Sequence, residues 1–177
     1  MKIEKMAFLD VYTFENNSGI MGAILVTDSE TKPIEFRVTA PIKPTNFQKT
    51  LYGDVLLEHI LVELAAVPLL NAINEQLDLI IVRNPLFLGV NEKQGVRVVR
   101  IFKEEEGRTK NGKLTEALPQ FMGNGSKTLL ETSRKYEGEL QEIQDQLVEV
   151  SDKRNLIEPF ERLKTACEQV HLQKTGE

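Results

Sequence analysis

Residues 45–73 have the sequence TNFQKTLYGDVLLEHILVELAAVPLLNAI, the longest mostly apolar, helix-compatible run in the first half of the chain. Thr45 suits an N-cap, because its short side-chain oxygen can accept a hydrogen bond from a free amide at the helix start. Apolar residues then cover most of the circumference, which predicts a helix buried on more than one side. Pro68 predicts a kink or break near residues 65–67, because proline lacks an amide. Gly53 is a second position where the helix is expected to be irregular, because glycine destabilises a helix interior.

Three segments before this helix and two after it have the composition of β-strands: residues 6–13, 20–27, 34–39, 77–82 and 96–102. Turn-forming residues separate the first three segments, which predicts a meander. The apolar run LDLIIV is typical of a central strand, whereas Arg97 and Arg100 predict that the last strand is an exposed edge. The predicted class is α/β, a small mixed sheet of order β-β-β-α-β-β. The crossover favours a fourth strand beside the first and parallel to it.

The composition is that of a folded protein: of 177 residues, 41% are hydrophobic and 28% are charged. No uncharged apolar run reaches the length of a bilayer span, and the N-terminus has no cleavage-like end. The sequence therefore predicts no membrane association and a cytoplasmic location. The single cysteine, Cys167, excludes a disulfide framework and cysteine-rich zinc sites. The formal net charge of −5 does not indicate a nucleic-acid partner, although it leaves a local basic groove open.

The composition changes after residue 102, and residues 103–125 are charged and glycine-bearing, which predicts a linker. The segment GNGSKT is not a phosphate loop, because it lacks a glycine directly before the lysine and a strand ahead of it. The predicted domains are therefore an α/β domain over residues 1–102, the linker, and a helical tail over residues 126–173.

The predicted tail begins at Thr128, which with Glu131 has the spacing of a capping box. A break at residues 155–159 separates two apolar stripes, which predicts a helical hairpin or coiled coil. Isolated amphipathic helices of this length are marginal in water, so the stripes must be covered by the same chain or by another. The predicted contact residues for a homo-oligomer or a partner protein are Tyr136, Leu140, Ile143, Leu147, Phe160 and Leu163.

The element order of the first part resembles the ribonuclease H-like superfamily, over roughly the first hundred residues. That fold opens with a three-stranded meander, crosses through a long helix and adds parallel strands beside the first. The resemblance implies acidic residues that meet at one end of the central strands and hold two divalent metal ions.

Candidate catalytic residues follow from this resemblance. Asp10 lies in the first strand, where the family carries its first carboxylate, and Glu58 or Asp54 on the crossover helix would be the second. The third usually lies at the end of the fourth strand, where residues 82–84 are Val-Arg-Asn. The aspartate is missing and Arg83 has the opposite charge, so the sequence predicts no magnesium- or manganese-dependent cleavage.

Other chemically suggestive residues have simpler explanations. His59 and Glu63 are one helical turn apart, but no second histidine is near them in the sequence, so a solvated pair is favoured over a metal site. Cys167 lies in an apolar stripe and is predicted to be a small buried hydrophobe.

Two hypotheses from different classes follow. The first is a non-catalytic assembly or adaptor protein without a cofactor, which acts through protein–protein contacts of its helical tail. The alternative is a metal-dependent nuclease of ribonuclease H-like fold that requires Mg²⁺ or Mn²⁺, with Asp10, Glu58 and Asp54 as catalytic candidates. A third class, a small-molecule regulatory domain, has no residue signature.

Overall fold

The computed structural model describes residues 2–14, 19–103, 114–115, 120–123 and 126–174. Within these ranges, eight strands form one mixed sheet: β1 (Lys5–Thr13), β2 (Ile20–Asp28), β3 (Pro33–Val38), β4 (Leu79–Val82), β5 (Val98–Lys103), β6 (Leu114–Thr115), β7 (Gln120–Gly123) and β8 (Ser126–Ser133). The strand order is β3-β2-β1-β4-β5-β8-β6, and β7 also pairs with β8. The helices are α1 (Asn46–Tyr52), α2 (Leu56–His59), α3 (Val67–Ala72), α4 (Leu140–Ser151) and α5 (Glu158–Lys174).

The meander and the crossover are confirmed. β1, β2 and β3 pair antiparallel in sequence order, and β4 lies beside β1 and parallel to it, from Met6↔Leu79 to Leu9↔Val82. β4 is buried over its whole length, as its apolar sequence predicts. The α/β class and the ribonuclease H-like order are therefore correct.

The predicted exposed edge at β5 is wrong, because β8 pairs with β5 on the side opposite β4. Arg100 is consequently buried and lies opposite Glu131 of β8. The sequence predicts a helix from Thr128, but this segment is a strand that is paired on both of its sides. The capping-box spacing is a local signal, whereas the strand depends on partners distant in the sequence.

The helical crossover runs from Asn46 to Ala72 and packs on one face of the sheet. Thr45 is its N-cap, as predicted, and forms a capping box with Gln48. Gly53 has a φ of 52° and separates α1 from a short 3₁₀ turn. Residues 60–66 form a π-helical turn just before Pro68, which is the predicted irregularity. Proline has no backbone N–H and cannot donate a helical hydrogen bond, and the widened π-helical turn before Pro68 fits the chain around this missing bond.

By length and composition alone, the crossover helix is apolar enough to span a membrane, although Glu58 and Glu63 interrupt its apolar sequence. A third of its most apolar window is buried in the protein (33%). The buried part, which includes Ile60, Leu61 and Leu69, packs against β1, β2 and β4 as the core helix of an α/β layer does.

Helices α4 and α5 cover the opposite face of the sheet. Leu140, Ile143, Leu147 and Phe160 pack against residues of β1, β4 and β5, and Leu163 packs against β2. Tyr136 is also buried. The six predicted contact residues are therefore buried in the core of their own chain.

The predicted separation into domain, linker and tail differs from the structure at several points. Most of residues 103–125 lie outside the described part of the chain, but β6 and β7 fall within that range and pair with β8. Residues 126–173 supply a strand and two helices to the layers built on the first hundred or so residues. A coiled-coil tail is not formed by α4 and α5, which pack on the sheet.

Candidate active site at the ends of β1 and β4

Asp10 lies on β1, directly after the last residue of β1 that pairs with the parallel strand β4. The last residue pair between β1 and β4 is Leu9↔Val82, so Asp10 and Arg83 follow directly after it on adjacent strands. In sheets with parallel strands, ligands bind outside the carboxyl ends of the strands. This edge of the sheet is therefore the candidate active site.

The carboxyl group of Asp10 is partly withdrawn from water. Burial raises its pKa to about 6, and this shift is opposed by a hydrogen bond from the Val11 amide and by the charge of Arg83. The Val11 amide nitrogen donates to Oδ1 of Asp10 over 2.8 Å. Asp10 is consequently a carboxylate at neutral pH and can accept a proton or bind a cation there.

Tyr12 connects this edge to helix α5. Its hydroxyl donates to the backbone carbonyl of Phe160 over 3.0 Å. Burial raises the pKa of Tyr12, the carboxylate of Asp10 raises it further, and Arg83 lowers it. Tyr12 is therefore a neutral hydroxyl at physiological pH. Cys167 is buried in the same apolar cluster, as predicted.

The backbone of Arg83 is held by Arg100 of the neighbouring strand β5, and Arg100 is itself part of a buried ion pair. Nε of Arg100 donates to the carbonyl oxygen of Arg83 over 3.1 Å, and NH1 of Arg100 donates to Oε1 of Glu131 over 2.7 Å. The Arg100 guanidinium also lies 4.2 Å from the centre of the Phe102 ring. The backbone beside Asp10 is thus positioned by a chain of contacts through β5 and β8. The sequence alone does not reveal these contacts, because it does not show that β5 pairs with β8.

Glu58 and Asp54 lie on the crossover helix, away from these contacts. Asp54 is on the exposed 3₁₀ turn. Glu58 is half-buried, and its Oε1 lies 3.3 Å from the position that a Cβ atom on Gly89 would take. Glu58 lines an open pocket of about 400 Å³ with His59 and other residues. In the part of the chain that the structure describes, no hydrogen bond or ion pair joins either carboxylate to Asp10.

Two other predicted features have structural roles. His59 stacks on Tyr52 with ring centres 4.4 Å apart, and Glu63 forms an ion pair with Lys93 at 2.8 Å. They therefore do not share a metal. Asn84 caps the 3₁₀ turn after β4, where its Oδ1 accepts from the Leu86 amide over 3.0 Å.

The donor set at this edge fits a metal ion bound by few protein ligands. Within the described ranges, no group of three or more His, Cys, Asp or Glu side chains is placed to hold a metal, so a protein cage for two ions is not formed. Mg²⁺ commonly uses one or two carboxylates and completes its shell with water and substrate phosphates. Asp10 fits such an ion as its one protein ligand.

The fold is ribonuclease H-like, and similar solved structures are endonucleases V. The Streptomyces avermitilis enzyme has a TM-score of 0.64 and 12% identity, covering 99% of this chain and 85% of that one. The Bacillus subtilis enzyme has a TM-score of 0.53 and 14% identity, covering 98% and 81%. The Ciona intestinalis enzyme, bound to DNA containing an inosine followed by a ribo-adenosine, has a TM-score of 0.55 and 13% identity, covering 98% and 87%. At these identities the likeness shows the fold. No family model and no curated protein sequence matches the chain.

These similarities correct two predictions. The interpretation as a non-catalytic adaptor is wrong, because nearly the whole chain, including the supposed tail, is similar to nucleases. The expectation of no cofactor is wrong with it, because the nuclease alternative that these structures support carries a Mg²⁺ or Mn²⁺ requirement.

Proposed function

We propose that this protein is a metal-dependent nuclease of ribonuclease H-like fold, and that Asp10 is its metal-binding carboxylate. One observation carries the proposal: a half-buried carboxylate follows the last pair of the two central parallel strands. The likeness of nearly the full chain to endonucleases supports it. The cytoplasmic location stays a prediction.

The residues around Asp10 indicate how the site would act on a phosphodiester. A divalent ion supplies Lewis-acid stabilisation of the phosphate and an activated water when it is bound. Asp10 would hold that ion, and its pKa of about 6 leaves it ionised at neutral pH. Arg83 would bind a phosphate oxygen, because a guanidinium matches phosphate geometry and its charge is next to Asp10.

Arg83 also distinguishes this site from a site with three carboxylates. A cation in that position reduces the number of metal ions that can be held, but it adds positive charge for the scissile phosphate. We propose that phosphate binding here relies on Arg83 as well as on the metal. A role for Glu58 or Asp54 as a second ligand stays a prediction of the resemblance.

Nucleic acid is the proposed partner, and deaminated DNA is the first substrate to test, because one similar structure contains inosine-bearing DNA. The net charge of −5 implies that binding depends on the metal and on local cations, not on the overall field.

The test is a cleavage survey with the full chain. Labelled single-stranded and duplex DNA, RNA and hybrids, each with and without inosine, are incubated with Mg²⁺, Mn²⁺ or EDTA. We expect cleavage of at least one substrate with metal and none with EDTA. If no substrate is cut under any of these conditions, or if EDTA has no effect, the proposed function is wrong.

A further inference from the structure

The side chain of Asp10 is on the face of the sheet that α5 covers. Side chains alternate between the two faces along a strand, so Asp10 shares its face with Phe8 and Tyr12. Phe8 packs against Phe160 of α5, and the hydroxyl of Tyr12 donates to the carbonyl of Phe160. Ala23, the cross-strand partner of Asp10 on β2, is buried in one cluster with residues of α5. Asp10 therefore faces the α5 layer, whereas the crossover helix covers the opposite face.

Helix α5 runs alongside β1 and in the same direction. Near the start of α5, the ring of Phe160 contacts the ring of Phe8, with ring centres 5.4 Å apart. Near its end, His171 stacks on Phe14, which follows β1, with ring centres 4.5 Å apart. Asp10 lies between Phe8 and Phe14 in this extended segment, so the middle of α5 passes beside it.

Lys164 is on the flank of α5 that is directed towards β1 and β4. It follows Phe160 by one helical turn and precedes His171 by two, and these spacings place the three side chains on one side of the helix. The other flank is directed towards β3, because NH1 of Arg162 donates over 2.8 Å to the carbonyl of Thr31, in the turn between β2 and β3. In the sheet, β4 lies on the side of β1 opposite β2 and β3. Lys164 is therefore directed towards the candidate active site.

Lys164 is an exposed cation on a firmly packed helix. With the residues that the structure describes, Glu168 one turn further on included, it forms no hydrogen bond or ion pair. Leu163 and Cys167 at neighbouring positions of α5 are fully buried (0% each), so the helix is fixed on the sheet. Because the net charge of the chain is −5, a polyanion is attracted to this protein by local cations. Lys164 is such a cation, beside the carboxylate and Arg83.

We propose that Lys164 binds a phosphate of the nucleic-acid strand next to the phosphate that is cleaved. This role rests on the proposed nuclease function and adds a substrate-binding residue to it. Asp10 with its metal ion and Arg83 bind the scissile phosphate, and Lys164 binds a neighbouring phosphate on the α5 side. Phosphate contacts fix the position and register of a strand without reading its sequence. Lys164 thus raises the affinity for every sequence and does not take part in the chemical step.

The test measures binding of the full chain to two fluorescein-labelled, cleavage-resistant single strands that contain inosine, one of DNA and one of RNA. Fluorescence anisotropy gives the dissociation constant with Mg²⁺ over a series of salt concentrations. We expect Lys164→Ala to raise the dissociation constant about tenfold at low salt for the strand that binds more tightly. The slope of log Kd against log salt should fall by about 0.7, because one phosphate contact with a single strand is lost. Lys164→Arg should retain most of the affinity and the slope, since the positive charge remains.

The matched control is Lys153→Ala, which changes an exposed lysine near Lys2 and Ile3, at the edge of the sheet where β1 begins. It should change neither the dissociation constant nor the slope. In cleavage assays with the same strands without the resistant linkages, Lys164→Ala should raise KM and leave the rate at saturating substrate within about twofold of the wild type.

The outcomes separate this role from the proposed function. Equal dissociation constants and slopes for Lys164→Ala and Lys153→Ala, or a wild type that binds neither strand, would overturn the role of Lys164, while the cleavage survey decides the nuclease activity by itself. A Lys164→Ala defect in the saturating rate alone would also overturn it. Binding that depends on Lys164 in a protein that cleaves no substrate would support the phosphate contact and contradict the proposed function.

Discussion

The Asp10→Asn variant is expected to lose cleavage activity by about 100-fold or more, because the amide cannot replace the carboxylate as the protein ligand of the metal ion. The matched control is Asp145→Asn, which changes an exposed aspartate on α4 and should retain full activity. The measurement is the single-turnover rate on the best substrate of the survey at saturating Mg²⁺. Equal rates for both variants would remove Asp10 from the site.

The same variant has a second readout that does not depend on the substrate. Because burial raises the pKa of Asp10 from 3.8 to about 6, the folded state binds the proton more tightly than the unfolded chain. The free energy of unfolding should therefore fall as pH rises from about 4 to about 6, by up to about 3 kcal/mol from this group. Asp10→Asn should remove that fall and be more stable than the wild type at pH 8. A melting temperature below that of the wild type at pH 8 would contradict the assignment of buried charge.

Glu131→Ala is expected to destabilise the protein by about 3–5 kcal/mol, because it leaves the Arg100 guanidinium buried without its carboxylate. Both side chains are nearly inaccessible, at 7% and 0%, and the contact is 2.7 Å long. Since Arg100 also holds the carbonyl of Arg83, this variant should impair cleavage even at temperatures where it remains folded. Urea unfolding measures the first effect.

A matched ion pair provides the control. Arg97 and Glu139 are 2.8 Å apart, a similar distance, but both are about one-third exposed (36% and 33%). Glu139→Ala should cost less than about 1 kcal/mol, because water screens the remaining charge. The double variant Arg100→Met with Glu131→Leu should recover much of the lost stability but not the activity. A cost for Glu131→Ala no larger than for Glu139→Ala would mean that the pair does not hold the ends of β4, β5 and β8.

The sequence predicts the central sheet well, because the relevant signals are local. Alternating or continuous apolar runs identify β1 to β5, and turn residues separate the strands of the meander. The capped helix between β3 and β4 favours a right-handed crossover that brings β4 beside β1. Even the irregularity before Pro68 follows from the chemistry of a single residue. The position of Asp10 next to the end of β4 is a consequence of that topology.

The rest of the fold and of the candidate site depends on contacts between segments that are distant in the sequence. The pattern at Thr128 and Glu131 satisfies a capping box, yet pairing with β5 makes the segment a strand. The apolar stripes of α4 and α5 predict helices correctly but cannot reveal what covers them, which proves to be the sheet. The buried pair of Arg100 and Glu131 is invisible without that strand pairing.

The most direct test of the account is electron paramagnetic resonance of Mn²⁺ with the full chain and a bound oligonucleotide in a cleavage-resistant form. The account predicts about one protein-bound Mn²⁺ per chain for the wild type and for Asp145→Asn. It predicts that Asp10→Asn shows no such ion at the same concentrations. Equal binding of Mn²⁺ by the wild type and Asp10→Asn would contradict the assignment of Asp10 as the metal-binding carboxylate.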